Sequence, residues 1–374
     1  MENKILLLVG GGHAHVYLLN KIIKEKQKFK TILISTNKYQ FYSGMASAYI
    51  ENIYSDEDIC FDLKVLCKLG GIEFLEDKVV SIDPQKKLVI LSSGQKVRFD
   101  VVSFDTGSEL KIDEKNINHK NLIGIKPLTN LKEIKERLQN SSLDKIKVLV
   151  IGAGAAGIEL SFGVKELGKQ LSKVFEVHLV DRGKSILPTF PKKIQEIVLK
   201  RLSENNISLY LNEEVESIET QRLVTKKKMI LEYDIILWAG GPTSNPMYEK
   251  AAMSVDEKGY MIVNNFLQNI DYPYIFGAGD CVGIKNYSYI KKVGVYAIKE
   301  APYLWNNIVN FFNKTPLKSY VPQKDFLLIL SLGNKEGVLS YKGFVLKGYL
   351  IWKLKNYIDE GFMRKFKNKQ KKNH

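Results

Sequence analysis

Two glycine-rich segments contain the residues of this chain whose types and spacing best suit a ligand-binding chemistry. In the first, Gly10 and Gly12 follow five apolar residues and precede apolar residues at helical spacing. In such a strand, loop and helix, the first glycine permits a tight turn and the second lets the backbone approach a pyrophosphate. The third position of the pattern, usually a small residue, is His15. Taken alone, this segment leaves a nucleotide loop and an ordinary buried turn both open.

The second segment is a more complete copy of the first. Gly152, Gly154 and Gly157 follow another apolar run, and Gly157 aligns with His15. Both copies also close with an aromatic residue, an aspartate, an apolar strand and glycine, over residues 99–108 and 233–241. An internal repeat of this kind predicts two nucleotide-binding units in one chain.

The composition is that of an ordinary globular protein, with 374 residues, 45% hydrophobic and 26% charged. No run of eighteen apolar residues predicts a membrane span, and the first apolar run is too short for a signal peptide. The net charge of +15 suits nucleic acid, an acidic membrane or anionic cofactors; we expect no nucleic acid, because no such motif accompanies it. Cys60, Cys67 and Cys281 are sparse and odd in number, which favours buried thiols in a reducing compartment over disulfides or zinc.

Four polar positions end strands or begin helices. Asp181 ends the second strand of the second unit, where a carboxylate binds a ribose and disfavours a 2′-phosphate; Arg182 beside it keeps NADPH open. Ser35 stands at the matching place in the first unit. Glu159 is either a solvated helix charge or a nicotinamide contact. Asp280 ends a Gly-x-Gly-Asp sequence and is expected at a helix start, as a cap or a ligand of sugar hydroxyls.

Two other stretches are informative: one could line the site of a flat ring, and the other predicts a β-sheet insert. Residues 38–50 are rich in aromatic and small residues, which suits either a packed loop or a wall beside a flat ring. Residues 73–100 read as a β-meander with a turn at Ser93 and Gly94.

In this order the motifs resemble the pyridine nucleotide-disulphide oxidoreductase superfamily, the flavoproteins with two dinucleotide-binding domains. The similarity is greatest to type II NADH dehydrogenases and their relatives, through the segments GGGHAHV, YSGM, GVYA and FLLILSLGN. The resemblance implies an α/β fold with two Rossmann-like domains. The FAD domain would be discontinuous with a β-meander insert (1–123 and 257–318), the NAD(P) domain would span 124–256, and an α+β appendage would span 319–374.

The resemblance implies FAD and NAD(P)H as cofactors, with NADH favoured. Around NAD(P)H it places Gly152, Gly154, Gly157, Asp181 and Gly240, with Glu159 as the catalytic candidate. Around FAD it places Gly10, Gly12, Ser35, Thr106, Gly107, Gly279 and Asp280. We extend the predicted FAD site to His13, Ala14, Tyr42, Val80 and Val293.

The implied reaction is hydride transfer from nicotinamide to flavin, followed by electron transfer to an acceptor. Residues 41–46 contain no redox cysteine pair, so we expect an enzyme of the non-disulfide type. A quinone is the expected acceptor, although Val295, Lys299 and Glu300 stand where the relatives have glutamines. A flavin-bound sensor with negligible turnover and a reductase of a small electron-carrier protein stay open as alternatives.

The C-terminal stretch bears on whether the protein contacts a membrane. Residues 342–374 contain ten Lys and Arg against two acidic residues. One helical arc would contain Leu350, Leu354, Tyr357, Ile358, Phe362 and Phe366. Such a helix either contacts a membrane surface peripherally or packs on the protein itself. We therefore expect a cytoplasmic protein, at the inner face of the cell membrane in the first case; a homodimer is also open.

Overall fold

The computed structural model of the chain describes residues 4–25, 27–112 and 119–367. The helices are α1 (His13–Lys24), α2 (Ala46–Ile50), α3 (Asp56–Ile59), α4 (Leu63–Gly70), α5 (Asn130–Gln139), α6 (Ala155–Gln170), α7 (Lys192–Glu204), α8 (Met247–Lys250), α9 (Gly294–Asn313) and α10 (Tyr349–Lys367). Two single 3-10 turns lie at Ser43–Met45 and Gly279–Cys281. No helix within these ranges is long and apolar enough to cross a membrane.

The strands of the first half are β1 (Ile5–Val9), β2 (Lys30–Ser35), β3 (Tyr39–Phe41), β4 (Cys60–Asp62), β5 (Glu73–Glu76), β6 (Val79–Asp83), β7 (Leu88–Leu91), β8 (Lys96–Arg98), β9 (Val101–Phe104), β10 (Glu109–Leu110) and β11 (Leu122–Gly124). Those of the middle are β12 (Lys145–Ile151), β13 (Val174–Val180), β14 (Ser208–Tyr210), β15 (Val215–Glu219), β16 (Arg222–Thr225), β17 (Ile230–Glu232), β18 (Ile235–Trp238) and β19 (Pro242–Thr243). The last are β20 (Met261–Val263), β21 (Ile275–Gly277), β22 (Val282–Ile284), β23 (Leu328–Ser331), β24 (Gly337–Tyr341) and β25 (Phe344–Gly348).

The first unit is built on a five-stranded parallel sheet in the order β21, β9, β1, β2, β5. Its central strand β1 is buried on both faces, with Leu6, Leu7 and Leu8 fully inaccessible, as expected of a parallel strand covered by helices. The edge strand β21 comes from residues that follow the whole second unit. The first unit is therefore discontinuous in sequence.

The second unit repeats this design with parallel strands in the order β11, β18, β12, β13, β14. Strand β11 (122–124), at the expected boundary between the domains, pairs within this second sheet. Each unit also carries a three-stranded antiparallel insert, β6-β7-β8 in the first and β15-β16-β17 in the second. The repeat seen in the sequence thus extends to the inserts.

The meander in the first unit is shorter than we expected from the sequence. It begins at Val79, because residues 73–76 form β5 and pair in parallel with β2 at the edge of the main sheet. The turn at Gly94 is present, with a φ of +84° that favours glycine.

The C-terminal segment is an α+β appendage, as expected. Strands β23, β24 and β25 form an antiparallel sheet, and α10 packs on it. Strand β23 contacts α6 of the second unit, and α10 contacts the 3-10 turn at Ser43–Met45 of the first unit. The appendage therefore lies where the two units meet.

Candidate functional site

The second glycine loop (residues 152–157) leaves space for a ligand. A Cβ added to Gly154 would meet no atom within 4 Å, whereas one on Gly152 would lie 2.7 Å from the backbone of Gly240. The carboxylate of Asp181 accepts a hydrogen bond of 2.6 Å from the N–H of Ala153 in this loop. These residues, predicted from the sequence to bind NAD(P)H, therefore lie together around one opening.

Gly157 has a structural task in this loop. A Cβ at that position would overlap the carbonyl oxygen of Gly152, so only glycine lets α6 begin this close to the end of β12.

The first glycine loop (residues 10–15) is arranged differently, because a side chain that we did not predict fills it. The carboxylate of Asp105, just after β9, accepts hydrogen bonds from the N–H groups of Ala14 at 2.8 Å and His15 at 3.0 Å. A Cβ on Gly12 would overlap this carboxylate. Burial raises the pKa of Asp105 to about 7. The sequence held one sign that Asp105 belongs to this site, namely its position next to Thr106, which we did predict there.

His15 replaces the close contact of a third glycine with two hydrogen bonds. Its ring Nδ1 lies 2.6 Å from the carbonyl oxygen of Gly10 and its Nε2 lies 2.9 Å from the Ser103 hydroxyl. Burial lowers the pKa of His15 to about 4, so the ring is neutral at pH 7. The imidazole thereby ties the loop to β9.

The side chain of His13 faces the starts of α9 and of the YSGM segment. Its Nε2 is buried and has no hydrogen-bond partner among the residues described. A Cβ on Gly294, which follows the predicted Val293, would lie 3.6 Å from this nitrogen and 3.7 Å from the Ser43 hydroxyl. The His13 ring packs against Tyr42 at 5.3 Å between centroids. Burial lowers the pKa of His13 to about 4, so a neutral polar atom is left for a ligand to satisfy.

Two predicted parts of the FAD site lie side by side, because β9 and β21 are neighbouring parallel strands. Thr106 and Gly107 follow β9, and Gly279 and Asp280 follow β21. Gly107 has a φ of +69°, and a Cβ there would meet nothing within 4 Å. Gly279 has a φ of +72° and approaches the Asp105 carboxylate. Thr106 immediately precedes Gly107, and its hydroxyl lies 3.4 Å from that of Tyr248.

Asp280 does not begin a helix, which corrects one expectation. It lies in the single 3-10 turn at Gly279–Cys281, and the chain then enters β22, because that strand pairs with β20. Its carboxylate instead lies 3.6 Å from the ammonium of Lys126.

Glu300 in α9 is a second buried carboxyl group whose role we did not predict. It accepts a hydrogen bond of 2.6 Å from the N–H of Gly279. Burial raises its pKa to about 7. Glu300 therefore holds the loop that follows β21 in the first unit.

Two further residues are predicted at the FAD site, Ser35 and Val80, and within the described part of the chain no side-chain hydrogen bond joins either of them to the first glycine loop. The Ser35 hydroxyl donates to the carbonyl oxygen of Asn37 at 2.9 Å. Val80 lies in the insert strand β6, and its side chain is 46% exposed.

Glu159 faces the C-terminal appendage, where it joins three other charged side chains. Its carboxylate accepts a hydrogen bond of 2.8 Å from the N–H of Ser331 in β23. We call Glu51, Glu159, Lys355 and Asp359 the buried charge cluster. Burial raises the pKa of Glu159, and it raises that of Glu51 to about 8. Although burial opposes it, the three carboxylates raise the pKa of Lys355.

The cluster connects α10 with the YSGM segment. The Lys355 ammonium donates to Asp359 at 2.8 Å and also to the carbonyl oxygen of Gly44. The Tyr42 hydroxyl donates to the other Asp359 oxygen at 3.1 Å. Lys355 interrupts the apolar arc in the sequence, and this pairing explains why.

Helix α10 has two apolar faces rather than the single arc we expected. Phe362 stacks on Tyr42 at 4.6 Å between centroids, and Phe366 is buried, so both belong to the docked face. The opposite face is exposed and consists of Leu350, Leu354, Tyr357 and Ile358. The helix therefore packs on the protein with one face, as one of the two alternatives predicted, and presents apolar side chains outward on the other face.

The two loops fit dinucleotides to different degrees. At the second loop, the space beside Gly154 and the carboxylate of Asp181 suit NAD(P)H. At the first, the unpartnered His13 nitrogen and the open strand end at Gly107 suit FAD. Asp105 makes the first loop less suitable, because it places a carboxylate where the helix N–H groups would otherwise bind a pyrophosphate.

Known proteins are similar to this chain in sequence or in fold. Ferroptosis suppressor protein 1 of Taeniopygia guttata is 27% identical over 296 residues, covering 75% of this chain and 74% of the relative. Type II NADH:quinone oxidoreductase of Haemophilus influenzae is 26% identical over 225 residues, covering 55% of this chain and 50% of the relative. The solved structure of NDH2 from Plasmodium falciparum in complex with NADH matches the fold with a TM-score of 0.80 at 16% identity, over 98% of both chains.

The family follows from a match that spans both loops and both strand ends. The family model described as pyridine nucleotide-disulphide oxidoreductase matches residues 4–307. That range contains the two parallel sheets, the two glycine loops and the 3-10 turn at Gly279–Cys281. The chain belongs to the pyridine nucleotide-disulphide oxidoreductase family.

Proposed function

We propose that this protein oxidises NADH with FAD and passes the electrons to a quinone at a membrane surface. The chain is an oxidoreductase whose cofactors are FAD and NAD(P)H. The observation that carries the proposal is the position of the buried charge cluster, which lies between the second unit, the YSGM segment and α10. The similarity to a type II NADH:quinone oxidoreductase supports the quinone as acceptor.

The residues of each loop would hold one cofactor. Gly154 and Gly240 give NAD(P)H close access to the backbone, and the Asp181 carboxylate would accept from its ribose hydroxyls. The His13 ring, Gly107 and Asp280 would hold FAD. When bound, FAD supplies the redox chemistry, accepting a hydride and releasing electrons to the acceptor.

We propose that the buried charge cluster handles the protons of quinone reduction. Reduction of a quinone to a quinol takes up two electrons and two protons. A carboxyl group whose pKa is raised towards neutrality can hold a proton and release it at pH 7. Burial raises the pKa of Glu159, which favours its protonated form, and Lys355 beside it would stabilise the carboxylate that remains after a proton is released. We therefore assign to Glu159 the role of catalytic proton donor.

The preference for NADH rests on Asp181. Its carboxylate lies at the mouth of the second loop, where it would repel the 2′-phosphate of NADPH. Arg182 is the next residue, but its side chain is exposed. We therefore expect a lower KM for NADH than for NADPH.

Membrane contact rests on the outer face of α10 and on the neighbouring strand β25. Tyr357 and Leu350 are 70% and 76% exposed, and Phe344 in β25 is 74% exposed. Lys347 and Lys353 lie among these apolar residues. Aromatic and aliphatic side chains beside lysines suit the interface of an anionic lipid bilayer. Such contact would bring the protein close to a lipid-soluble acceptor.

Anaerobic addition of NADH to the FAD-loaded protein tests the proposal. We expect rapid bleaching of the flavin absorption band, followed by rapid reoxidation with a water-soluble quinone. Absence of bleaching with both NADH and NADPH would refute the dehydrogenase function. Slow bleaching with a long-lived charge-transfer band and negligible quinone turnover would instead support a redox sensor.

A further inference from the structure

The two units of the repeat differ at three positions that touch one another. Aligned by their glycine loops and by the register of their strands, Val9 pairs with Phe104 just as Ile151 pairs with Trp238. In this alignment, the trio His15, Ser103 and Asp105 of the first unit replaces the following residues of the second unit: Gly157, Leu237 and Ala239. The first unit therefore has three buried polar side chains where the second unit has apolar residues and a glycine.

The trio places a carboxyl group behind the start of α1. Asp105 is 3% exposed, and its carboxylate accepts from two N–H groups of the first turn of that helix. His15 holds the loop against Ser103 on the same strand. The backbone N–H groups of a helix start are what binds a pyrophosphate in this kind of loop. In the first unit, two of them already serve an internal acid.

We propose that Asp105 links FAD binding to proton uptake, so that the protein binds FAD most tightly when the Asp105 carboxyl group is protonated. The proposal rests on the assignment of FAD to the first unit. An ionised carboxylate competes with the diphosphate for the positive end of α1 and repels it across a short, buried distance. A neutral carboxyl group does not repel the diphosphate, and its oxygen competes less strongly for the N–H groups of α1 because it accepts more weakly than a carboxylate. The second unit, which has Ala239 at this position, lacks this link.

The groups around Asp105 leave it without a positive partner in the described chain. Those that face it from α1, α8, α9 and the 3-10 turn are His15, Tyr248, Asp280, Cys281 and Glu300. His15 is neutral because burial lowers its pKa to about 4. Tyr248 and Cys281 are neutral because burial raises the pKa of each, that of Cys281 to about 12. Asp280 is paired with Lys126.

The sign of the pH dependence follows from this environment. Burial raises the pKa of Asp105 to about 7 in the protein without ligand. A diphosphate nearby adds negative charge and raises that pKa further, so binding takes up a proton above pH 7. The affinity for FAD should therefore be constant below that pH and fall as the pH rises, by up to about tenfold per pH unit.

The test is the dissociation constant of FAD from the stripped full-length protein, measured by quenching of flavin fluorescence between pH 6 and 8.5. We expect the wild-type affinity to fall by about tenfold or more over this range. D105N keeps an acceptor oxygen for α1 but cannot ionise. It should bind FAD with nearly the same affinity throughout, and about tenfold more tightly than wild type at pH 8.5.

Two matched variants identify the group responsible. D100N makes the same change at the other end of β9, where Asp100 accepts from the N–H of Ile5 at 2.7 Å, and should keep the wild-type pH profile. E300Q removes the other buried acid with a pKa of about 7 and should keep most of that profile. A profile that survives in D105N, or disappears in E300Q alone, would overturn the proposal.

Calorimetry of the wild-type protein gives a result that does not depend on how a variant folds. Titrations with FAD at pH 8 in two buffers of different ionisation enthalpy should show uptake of close to one proton. No uptake, with normal FAD binding, would overturn the role of Asp105 and leave the dehydrogenase function intact. No binding of FAD at any pH, in wild type or D105N, would overturn the cofactor assignment itself.

Discussion

At the scale of single residues, the notable feature is how many carboxyl groups are buried beside the proposed flavin and nicotinamide positions. Asp105, Glu300, Glu159 and Glu51 all have a raised pKa for the same main reason, which is burial. Removing an ionised carboxylate from water is costly unless a cation or several N–H groups compensate. Clusters of such groups are typical of sites that exchange protons.

Glu51 illustrates the stability cost of this arrangement. It is 2% exposed, and its Oε1 has no hydrogen-bond partner among the described residues. Because its folded pKa of about 8 exceeds the ordinary value, the folded state binds more protons than the unfolded state, and stability falls as the pH rises towards 8. We predict that Glu51→Gln is within about 1 kcal/mol of wild type near pH 5 and about 3 to 4 kcal/mol more stable near pH 8.

Urea unfolding of both proteins at a series of pH values measures this difference. Asp105 and Glu300 affect both proteins equally, so only the difference between them reports on Glu51. Parallel curves for the two proteins would show that Glu51 ionises normally in the fold.

Glu159 gives the prediction for turnover. Glu159→Gln cannot release a proton, so we expect kcat with a soluble quinone to fall about 100-fold. Reduction of the flavin by NADH should be nearly unchanged, because that step needs no proton from this side chain. Stopped-flow reduction and steady-state turnover separate the two steps. Glu133→Gln, in an exposed pair with Arg137 on α5, is the control and should behave as wild type.

At the scale of elements, a strand, a glycine loop and a helix form each binding unit, and the glycines of one loop have separate tasks. Gly154 has a φ of −77°, which alanine can adopt, and faces open space. Gly157 faces the carbonyl oxygen of Gly152. Gly154 therefore gives a ligand access to the backbone, and Gly157 lets α6 pack closely on the sheet.

This difference predicts opposite results from the same substitution. Gly154→Ala should leave the thermal unfolding temperature unchanged and weaken NADH binding about tenfold or more, because the methyl group occupies the space of the pyrophosphate. Gly157→Ala should destabilise the protein by about 3 kcal/mol or more, because the overlap must be relieved by moving α6. Thermal unfolding and NADH fluorescence titration distinguish the two. Equal loss of stability in both variants would contradict the assignment of tasks.

At the scale of the whole molecule, the appendage, the exposed face of α10 and the excess of positive charge act together. The chain has a net charge of +15, and α10 lies at the junction of the two units. A positively charged protein with an apolar patch should bind anionic bilayers better than neutral ones, and less well at high salt. The docked face of α10 keeps this patch in a fixed place relative to the proposed site of electron transfer.

We predict that the triple variant L350S/Y357S/I358S loses at least about tenfold of its binding to anionic lipid vesicles, since each apolar side chain contributes about 1 kcal/mol or more. The control is V174S/I230S, which removes two side chains that are 57% and 58% exposed on the second unit. Cosedimentation with vesicles at low and high salt measures both. Equal binding of the triple variant and wild type would exclude α10 as the contact.

The repeat, the two parallel sheets and the residues that meet around Gly154 and Asp181 could all be predicted from the amino-acid sequence. These depend on short segments, in which buried strands and glycine turns have local signatures. The sequence also predicted the α+β appendage. Glu159 was named from its place in the helix, but its contact with Ser331, 172 residues away, could not be read from that place.

The side chain that fills the first loop and the surface that α10 covers depend instead on contacts between distant parts of the chain. Asp105 is 91 residues from the N–H of Ala14 that it binds, and Tyr42 is 317 residues from Asp359. Such pairs have no spacing that a sequence pattern can detect, because packing of the sheets and helices sets their distance. The physical reason is the same for Lys355: a lysine in an apolar arc is explained only by the buried carboxylates that the fold brings to it.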